Sequence, residues 1–164
     1  MNHAMLQRIV EEVAARLRHR ALSTATLSVA QLGEADIRSL LCQHASLRIV
    51  QVDLPLLEQL AGQRALAAAG CALHEAMAWG VRVQLTLLPA QLPALAVKKL
   101  ARLPLTFSDP LGQPVRLHAA SVLTYADVAR FSGGYLVLRR RPIITAPRPR
   151  SGIVARHVQL IKQE

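Results

Sequence analysis

Aromatic residues are scarce in this chain, and their scarcity bears on both its core and its partners. Phe, Trp and Tyr together make up 3% of the 164 residues, whereas apolar residues as a whole make up 52%. A core of this composition is filled by leucine, alanine and valine, which is typical of helices packed on a sheet. Single-stranded nucleic acid is bound by stacking its bases on aromatic side chains, so the chain has few residues for that kind of contact.

Cysteine is nearly as rare, since the chain contains only Cys42 and Cys71. Two cysteines are too few for the disulfide framework of a small secreted domain. We expect both to be reduced and buried, where a free cysteine behaves as a small hydrophobic residue.

Long hydrophobic runs are absent. No uninterrupted apolar segment reaches the roughly 18 residues that a membrane-spanning helix needs. The N-terminal segment does not fit a signal peptide either, because Glu11 and Glu12 interrupt its apolar positions and no small-residue cleavage site follows. These patterns predict a cytoplasmic protein that makes no membrane contact.

The chain also lacks the motifs of common catalytic and cofactor sites, namely GxGxxG, GxxxxGK[ST] and GxSxG. Cys71 and His74 are spaced so that both could face one ion, but two ligands do not make a metal site. The sequence therefore predicts no catalytic residue, no cofactor and no metal, and we interpret the chain as a non-enzyme. A flavin- or cobalamin-related accessory protein stays open as the alternative, on fold analogy alone.

Strand and helix patterns alternate along most of the chain. Residues 47–53 and 81–88 are predicted strands, and the interval 54–80 is predicted to be helical in two pieces that are separated near Gly62. Short helices are expected at 34–43, 89–103 and 124–131, and further strands at 104–109, 115–120, 134–139, 142–145 and 157–164. The strands at 134–139 and 142–145 are expected to meet around the arginine cluster between them. This alternation predicts an α/β fold: a single layered domain with a mostly parallel or mixed sheet flanked by helices.

The same patterns divide the chain into three parts. Residues 1–20 form a predicted amphipathic helix, and residues 21–26, rich in Ser and Thr, are expected to form a linker. Residues 27–164 then make up the α/β domain, which begins with a short strand at 27–30.

The N-terminal helix has a one-sided apolar pattern. Within "MLQRIVEEVAARLRHR" (5–20), aliphatic residues recur at helical spacing on one side while most charged residues fall on the other; the aliphatic residues are Leu6, Ile9, Val10, Val13 and Leu17. Such a stripe has to be covered, either by the rest of this chain or by another protein. The pattern alone leaves both possibilities open.

Basic residues outnumber acidic ones by 20 to 10, which gives a formal charge of +10. The excess is concentrated in the C-terminal part of the chain, around Arg139, Arg140 and Arg141. These arginines open the segment "RRRPIITAPRPRSG" (139–152), which its prolines mark as a predicted mobile segment. A positive surface favours acidic partners. We expect a solvated basic surface or contact with an acidic protein rather than specific binding of nucleic acid, because no nucleic-acid-binding motif is present.

Several phrases together carry a resemblance to a known family. They are "LQRIVEEVAARL", "STATLSVAQL", "VQVDLPLLEQLA", "LARLPLTFSDPLGQPVRLH" and "YADVARF...GYLVLRR", spread over nearly the full length. The chain resembles the PduM family, a small component of propanediol-utilisation bacterial microcompartments.

The resemblance implies a non-enzymatic protein that is needed to assemble the protein shell around its enzymes, and a location in the microcompartment. It also implies that the N-terminal helix is similar to the encapsulation helices of microcompartment cargo. On this hypothesis the protein is an adaptor whose helix and arginine run (Arg139, Arg140 and Arg141) contact shell proteins, encapsulated enzymes or both.

Overall fold

The computed structural model describes residues 2–145 and 157–163. Within these residues helices and strands alternate. The α-helices are His3–Leu22 (α1), Val29–Glu34 (α2), Ile37–Gln43 (α3), Leu54–Leu60 (α4), Ala68–Ala78 (α5), Val97–Leu100 (α6) and Tyr125–Ala129 (α7), and a 3₁₀ helix spans Pro89–Ala94. The strands are Thr24–Ser28 (β1), Ser46–Val50 (β2), Arg82–Thr86 (β3), Leu105–Ser108 (β4), Pro114–His118 (β5), Val122–Leu123 (β6), Gly134–Leu138 (β7), Ile143–Ile144 (β8) and Val158–Lys162 (β9).

Seven strands form one mixed sheet in the order β1-β2-β3-β4-β5-β7-β9, and β6 pairs with β8 in a second, two-stranded sheet. β1 to β4 are parallel to one another, and so are β5, β7 and β9. The two blocks meet at β4 and β5, which are antiparallel. The strands of the second block therefore run opposite to those of the first. The predicted fold class, α/β with a mostly parallel or mixed sheet flanked by helices and a helix at the N-terminus, is confirmed.

The direction of the connections decides where the helices lie. From β1 to β4 each new strand is added on the same side of the previous one, and crossovers between parallel strands are right-handed. Helices α2 to α6 therefore all lie on one face of the sheet. They form the main core with the strand residues that point towards them, among them Leu47, Ile49, Val83 and Leu85. The opposite face of β1 to β4 receives no helix from these crossovers.

The second block, unlike the first, has a covering layer on that opposite face. The connection from β5 to β7 contains β6 and α7, and Leu123 and Val128 pack there against Leu136 and Leu138 of β7. Close packing in this block explains the glycine that starts β7. Gly134 has φ +87°, and a Cβ at this position would overlap the backbone carbonyl oxygen of Pro114 on β5.

Two predictions near the N-terminus are wrong. Residues 21–26 are not a linker, because α1 continues to Leu22 and β1 already begins at Thr24. The Ser and Thr residues that suggested a linker belong to an edge strand with one face in water. The predicted strand at 27–30 ends at Ser28, whose side chain caps α2 by accepting a hydrogen bond from the Gln31 backbone N–H at 3.2 Å.

Three further expectations need correction. Cys42 and Cys71 are exposed rather than buried. The predicted helix over 89–103 is divided into the 3₁₀ helix and α6, because Pro93 cannot donate the hydrogen bond that a continuous α-helix needs. The strands predicted on either side of the arginine run exist, but they belong to different sheets.

The predicted mobile segment 139–152 is described only up to residue 145, and its remainder lies outside the described residues. In the described part of the chain, no helix combines the length and the apolar character that crossing a membrane requires.

Candidate interaction surface

The N-terminal helix α1 is attached to the rest of the chain at its C-terminal end. The Ala45 backbone N–H donates to the Arg20 carbonyl at 3.1 Å, and Arg20 Nε donates to the Leu41 carbonyl at 3.0 Å. Ser23 Oγ lies 2.6 Å from His44 Nδ1. These polar contacts fix the last turn of α1 to the end of α3 and the start of β2. We refer to the described residues after Ser23, 24–145 and 157–163, as the body.

The side of α1 that approaches the body is polar. A cleft between the helix and the end of α3 is lined by Glu12, Arg16 and His19 on one wall and by Gln43 and His44 on the other. Arg16 also forms an ion pair with Glu12, with an N–O distance of 2.6 Å. The apolar stripe lies on a different side of the helix, since residues of an α-helix are offset by about 100°.

The apolar stripe of α1 is uncovered. No residue of α1 is buried. The five predicted contact residues have exposed fractions between 44% and 59%: Leu6 44%, Ile9 46%, Val10 59%, Val13 50% and Leu17 58%. In this structure, therefore, the stripe does not pack on the described part of the chain's own domain.

The predicted arginine run lies in the turn after β7. Arg140 and Arg141 are exposed and Arg139 is half-buried. The Arg139 backbone N–H donates to the His118 carbonyl at 3.3 Å, and its Nε donates to the Arg140 carbonyl at 3.3 Å. Arg141 has φ 53°, in the left-handed region, where the chain turns towards β8.

The strand directions place this run at the same edge of the sheet as α1. β7 runs opposite to β1, so the carboxyl end of β7 and the amino end of β1 share one edge. Five strand spacings separate β1 from β7, which is about 24 Å at ~4.8 Å per spacing. The two predicted groups of contact residues are therefore on one edge but are not brought into contact.

No catalytic cluster emerges at the residues that the structure describes. Residues 2–145 and 157–163 contain no group of three or more His, Cys, Asp or Glu side chains that could hold a metal ion. The buried carboxylate of Asp109 accepts hydrogen bonds from the backbone N–H groups of Leu111 and Gln113, at 2.9 and 2.7 Å, and so stabilises a turn. The Thr124 backbone N–H and hydroxyl donate to Asp127 at 2.9 and 2.7 Å and lower the pKa of this carboxyl. That contact caps α7.

Sequence reasoning missed one surface, the face of β1 to β4 that no described helix covers. It carries a row of polar side chains in which Arg48 Nε donates to Gln84 at 3.4 Å and Gln84 donates to Ser108 Oγ at 2.9 Å. The sequence did contain a signal for a polar sheet face, namely polar residues at every second position of these strands. The sequence did not indicate that the polar face would stay free of helices, because that depends on the order of the strands in the sheet.

The sequence has relatives among known proteins. A family model described as "putative propanediol utilisation" matches residues 8–159. The "Bacterial microcompartment assembly protein PduM" of Salmonella typhimurium (strain LT2) is 57% identical over 164 residues, which is 100% of both chains. The chain belongs to the PduM family. The PduM protein of Citrobacter freundii, which has the same printed name, is 54% identical over 100% of both chains. No solved structure matches the chain.

Membership of the PduM family confirms the resemblance found in the sequence. Both relatives are aligned over their whole length, so the match includes α1 as well as the body. Their printed name describes them as proteins of microcompartment assembly.

Proposed function

We propose that this protein is a structural assembly protein of the propanediol-utilisation microcompartment, located in that compartment, and that it links shell proteins to encapsulated enzymes without catalysing a reaction. The names of its relatives support the assembly role. The linking role is supported by the geometry of α1.

The observation that carries the proposal is the uncovered stripe of α1. An amphipathic helix commonly binds a partner by laying its apolar face into a groove, with anchors at helical spacing. The side chains of Leu6, Ile9, Val10, Val13 and Leu17 are about half exposed in this chain. Covering what remains exposed stabilises a complex by on the order of 1 kcal/mol per side chain. A groove on a shell protein or an enzyme is the partner surface that fits.

The arginine run is a second proposed contact. Arg140 and Arg141 are exposed at the same sheet edge from which α1 extends. A partner that binds α1 and also reaches across the edge could place acidic residues opposite these guanidinium groups. Their contribution is to association rate and orientation, because exposed ion pairs add little affinity.

The stripe can be tested without deleting the helix. In a fluorescent fusion, Ile9→Gln and Val13→Gln together remove two anchors while keeping residues of good helix propensity. Glu11→Gln and Arg18→Gln, on the charged side of α1, are the matched control. We expect the stripe variant to lose co-purification with microcompartments and the control to retain it.

Deletion of residues 1–20 extends this test and should also abolish encapsulation. Circular dichroism checks that each variant keeps a folded body. The proposed docking role of α1 is wrong if the stripe variant and the deletion co-purify with compartments as well as the unmodified fusion.

A further inference from the structure

The strands β1 to β4 leave one face of the sheet without a covering layer in the described chain. We refer to this surface as the open sheet face. All but one of its residues on these strands are polar: Thr24, Thr26, Ser28, Ser46, Arg48, Val50, Arg82, Gln84, Thr86, Thr106 and Ser108. Arg116, on the adjoining strand β5, extends the open sheet face. Ser108 is buried, and the others are exposed or half-buried.

Such a face is unusual for parallel strands, which are normally covered on both sides. Here the uncovered side follows from topology, because successive right-handed crossovers place α2 to α6 on the other side. A depression of about 640 Å³ opens on this side of the sheet and is lined by Thr26, Arg48, Gln84 and Ser108 among others. A second cavity, of about 500 Å³, shares Gln84, Ser108 and Gly112 with it and extends past Arg116 to Leu100 and Leu103 on the covered side.

The depression is crossed by an ordered row of side chains. The strand register places Thr26, Arg48, Gln84 and Thr106 side by side on β1 to β4. Arg116 continues the row on β5, one position beyond the pair of Phe107 and Val115. Arg48 is held by its hydrogen bond to Gln84, and the Arg116 guanidinium lies 5.1 Å from the centroid of the Phe131 ring.

The charges on this surface all have one sign. Arg48, Arg82 and Arg116 are exposed, and none of the ion pairs in the described part of the chain involves them. The carboxylate at the margin, Asp109, is 4% exposed and is already bonded to two backbone N–H groups.

The acidic residues that do form ion pairs lie elsewhere. Glu12 is on α1, and Glu58 and Glu75 belong to helices on the covered side of the sheet. The chain therefore brings three guanidinium groups to the open sheet face without supplying their carboxylates.

From this we infer that the open sheet face binds an acidic segment of another protein, whose carboxylates pair with Arg48, Arg82 and Arg116. Arg48 and Arg116 lie three strand spacings apart, about 14 Å at ~4.8 Å per spacing. A segment of about three helical turns spans this distance. The hydroxyl and amide groups between the arginines offer hydrogen bonds to its polar side chains.

Two other occupants fit this surface less well. A second copy of this chain would bring the same positive face or the basic helix α1, so it would add like charges. A single-stranded nucleic acid would need aromatic platforms for its bases, and the nearby Phe131 ring already carries the Arg116 guanidinium.

This inference deepens the proposed linking role, because it gives the body a contact surface apart from the apolar stripe of α1. Arg82 also donates to the Ala21 carbonyl at the end of α1, at 3.4 Å. The inference about the open sheet face and the proposal for the apolar stripe can fail separately. If the α1 variants have no effect on encapsulation, the inference about the open sheet face is unaffected. If the open sheet face binds nothing, the proposal for the apolar stripe is unaffected.

The test is photo-crosslinking in intact cells that produce microcompartments. Thr106 is replaced by p-benzoylphenylalanine, with Thr26 as a second position on the same face, and Gln63, exposed between α4 and α5, as the control position. Cross-linked peptides are identified by mass spectrometry. We expect Thr106 and Thr26, but not Gln63, to label a peptide of another protein with a net negative charge.

Charge variants then decide whether the arginines are responsible. Arg48→Glu with Arg116→Glu should lower the cross-linked yield by about tenfold or more, since complementary charge changes association rates by roughly 10–10³. Lys98→Glu with Arg102→Glu makes the same change of net charge on the covered side and should leave the yield unchanged. Arg48→Lys with Arg116→Lys should retain most of it.

Three results overturn the inference. The first is labelling at Thr106 and Thr26 that does not exceed labelling at Gln63. The second is labelling of a neutral or basic peptide, of the same chain or of nucleic acid. The third is a cross-linked yield that survives reversal of Arg48 and Arg116 in a protein that circular dichroism shows to be folded.

Discussion

Helices α1 and α5 are both rich in aliphatic residues, but only α5 buries its residues in this fold. α5 buries Ala69, Ala72, Leu73 and Ala76 in the main core. α1 buries none of its residues, and Leu17 remains 58% exposed. A one-sided apolar pattern therefore indicates that a stripe is to be covered but does not indicate which molecule covers it.

The difference has a topological cause. α5 lies between β2 and β3, and the crossover between two parallel neighbours brings it onto the sheet. α1 precedes the first strand, so only its last turn is fixed, through Arg20 and Ser23. No second attachment draws the apolar stripe onto the body.

Truncating one leucine in each helix gives the largest expected difference. Leu73→Ala should lower the free energy of unfolding by about 2–5 kcal/mol, because it leaves a cavity in a closely packed core. Leu17→Ala should change it by less than about 0.5 kcal/mol in the isolated protein, because the side chain is mostly in water and alanine favours helix. Urea unfolding followed by circular dichroism measures both values. Similar losses for the two variants would mean that the stripe is packed on the body.

Much of this fold was predictable because its signals are local. The helical interval after β2, its interruption near Gly62 and the alternating strand at β3 all have the expected positions. α2 was missed because it is only six residues long and begins with the β-branched Val29. Its capping box, Ser28 with Gln31, was the available signal.

The surfaces were less predictable because they depend on distant parts of the chain. The α1 stripe was visible as a pattern, but its exposure depends on what the body leaves free. The open sheet face depends on strand order, which no single segment encodes. Arg48 and Arg116 are far apart in the sequence and meet in one row only because β2 to β5 lie side by side.

Removing a capping residue of α7 should lower the free energy of unfolding less than truncating a buried residue of α5. α7 has five residues and buries only Val128, so local hydrogen bonds matter more to it than to α5. Asp127→Ala removes the bonds from Thr124 and should lower the free energy of unfolding at pH 7 by roughly 0.5–1 kcal/mol, at the low end for caps because the site is near water.

The effect of Asp127 should depend on pH in one direction. Hydrogen bonding from Thr124 lowers the pKa of Asp127 in the folded protein. Its stabilisation is therefore fully present above the ordinary Asp pKa of about 3.9 and is lost as the pH falls through the lowered value. Unfolding of both proteins between pH 2 and 7 should show the difference shrinking at the acid end, and a constant difference would contradict this origin.

Hydrogen exchange along α1 and α5 tests the central claim most directly. In the isolated protein, we expect the amides of α1 to exchange much faster than those of α5, because few tertiary contacts oppose opening of α1. In assembled microcompartments, exchange along residues 6–17 should slow markedly while α5 is unchanged. Two results would contradict the claim that a partner covers the apolar stripe of α1. One is protection of α1 equal to that of α5 in the isolated protein, and the other is no gain of protection of α1 in the compartments.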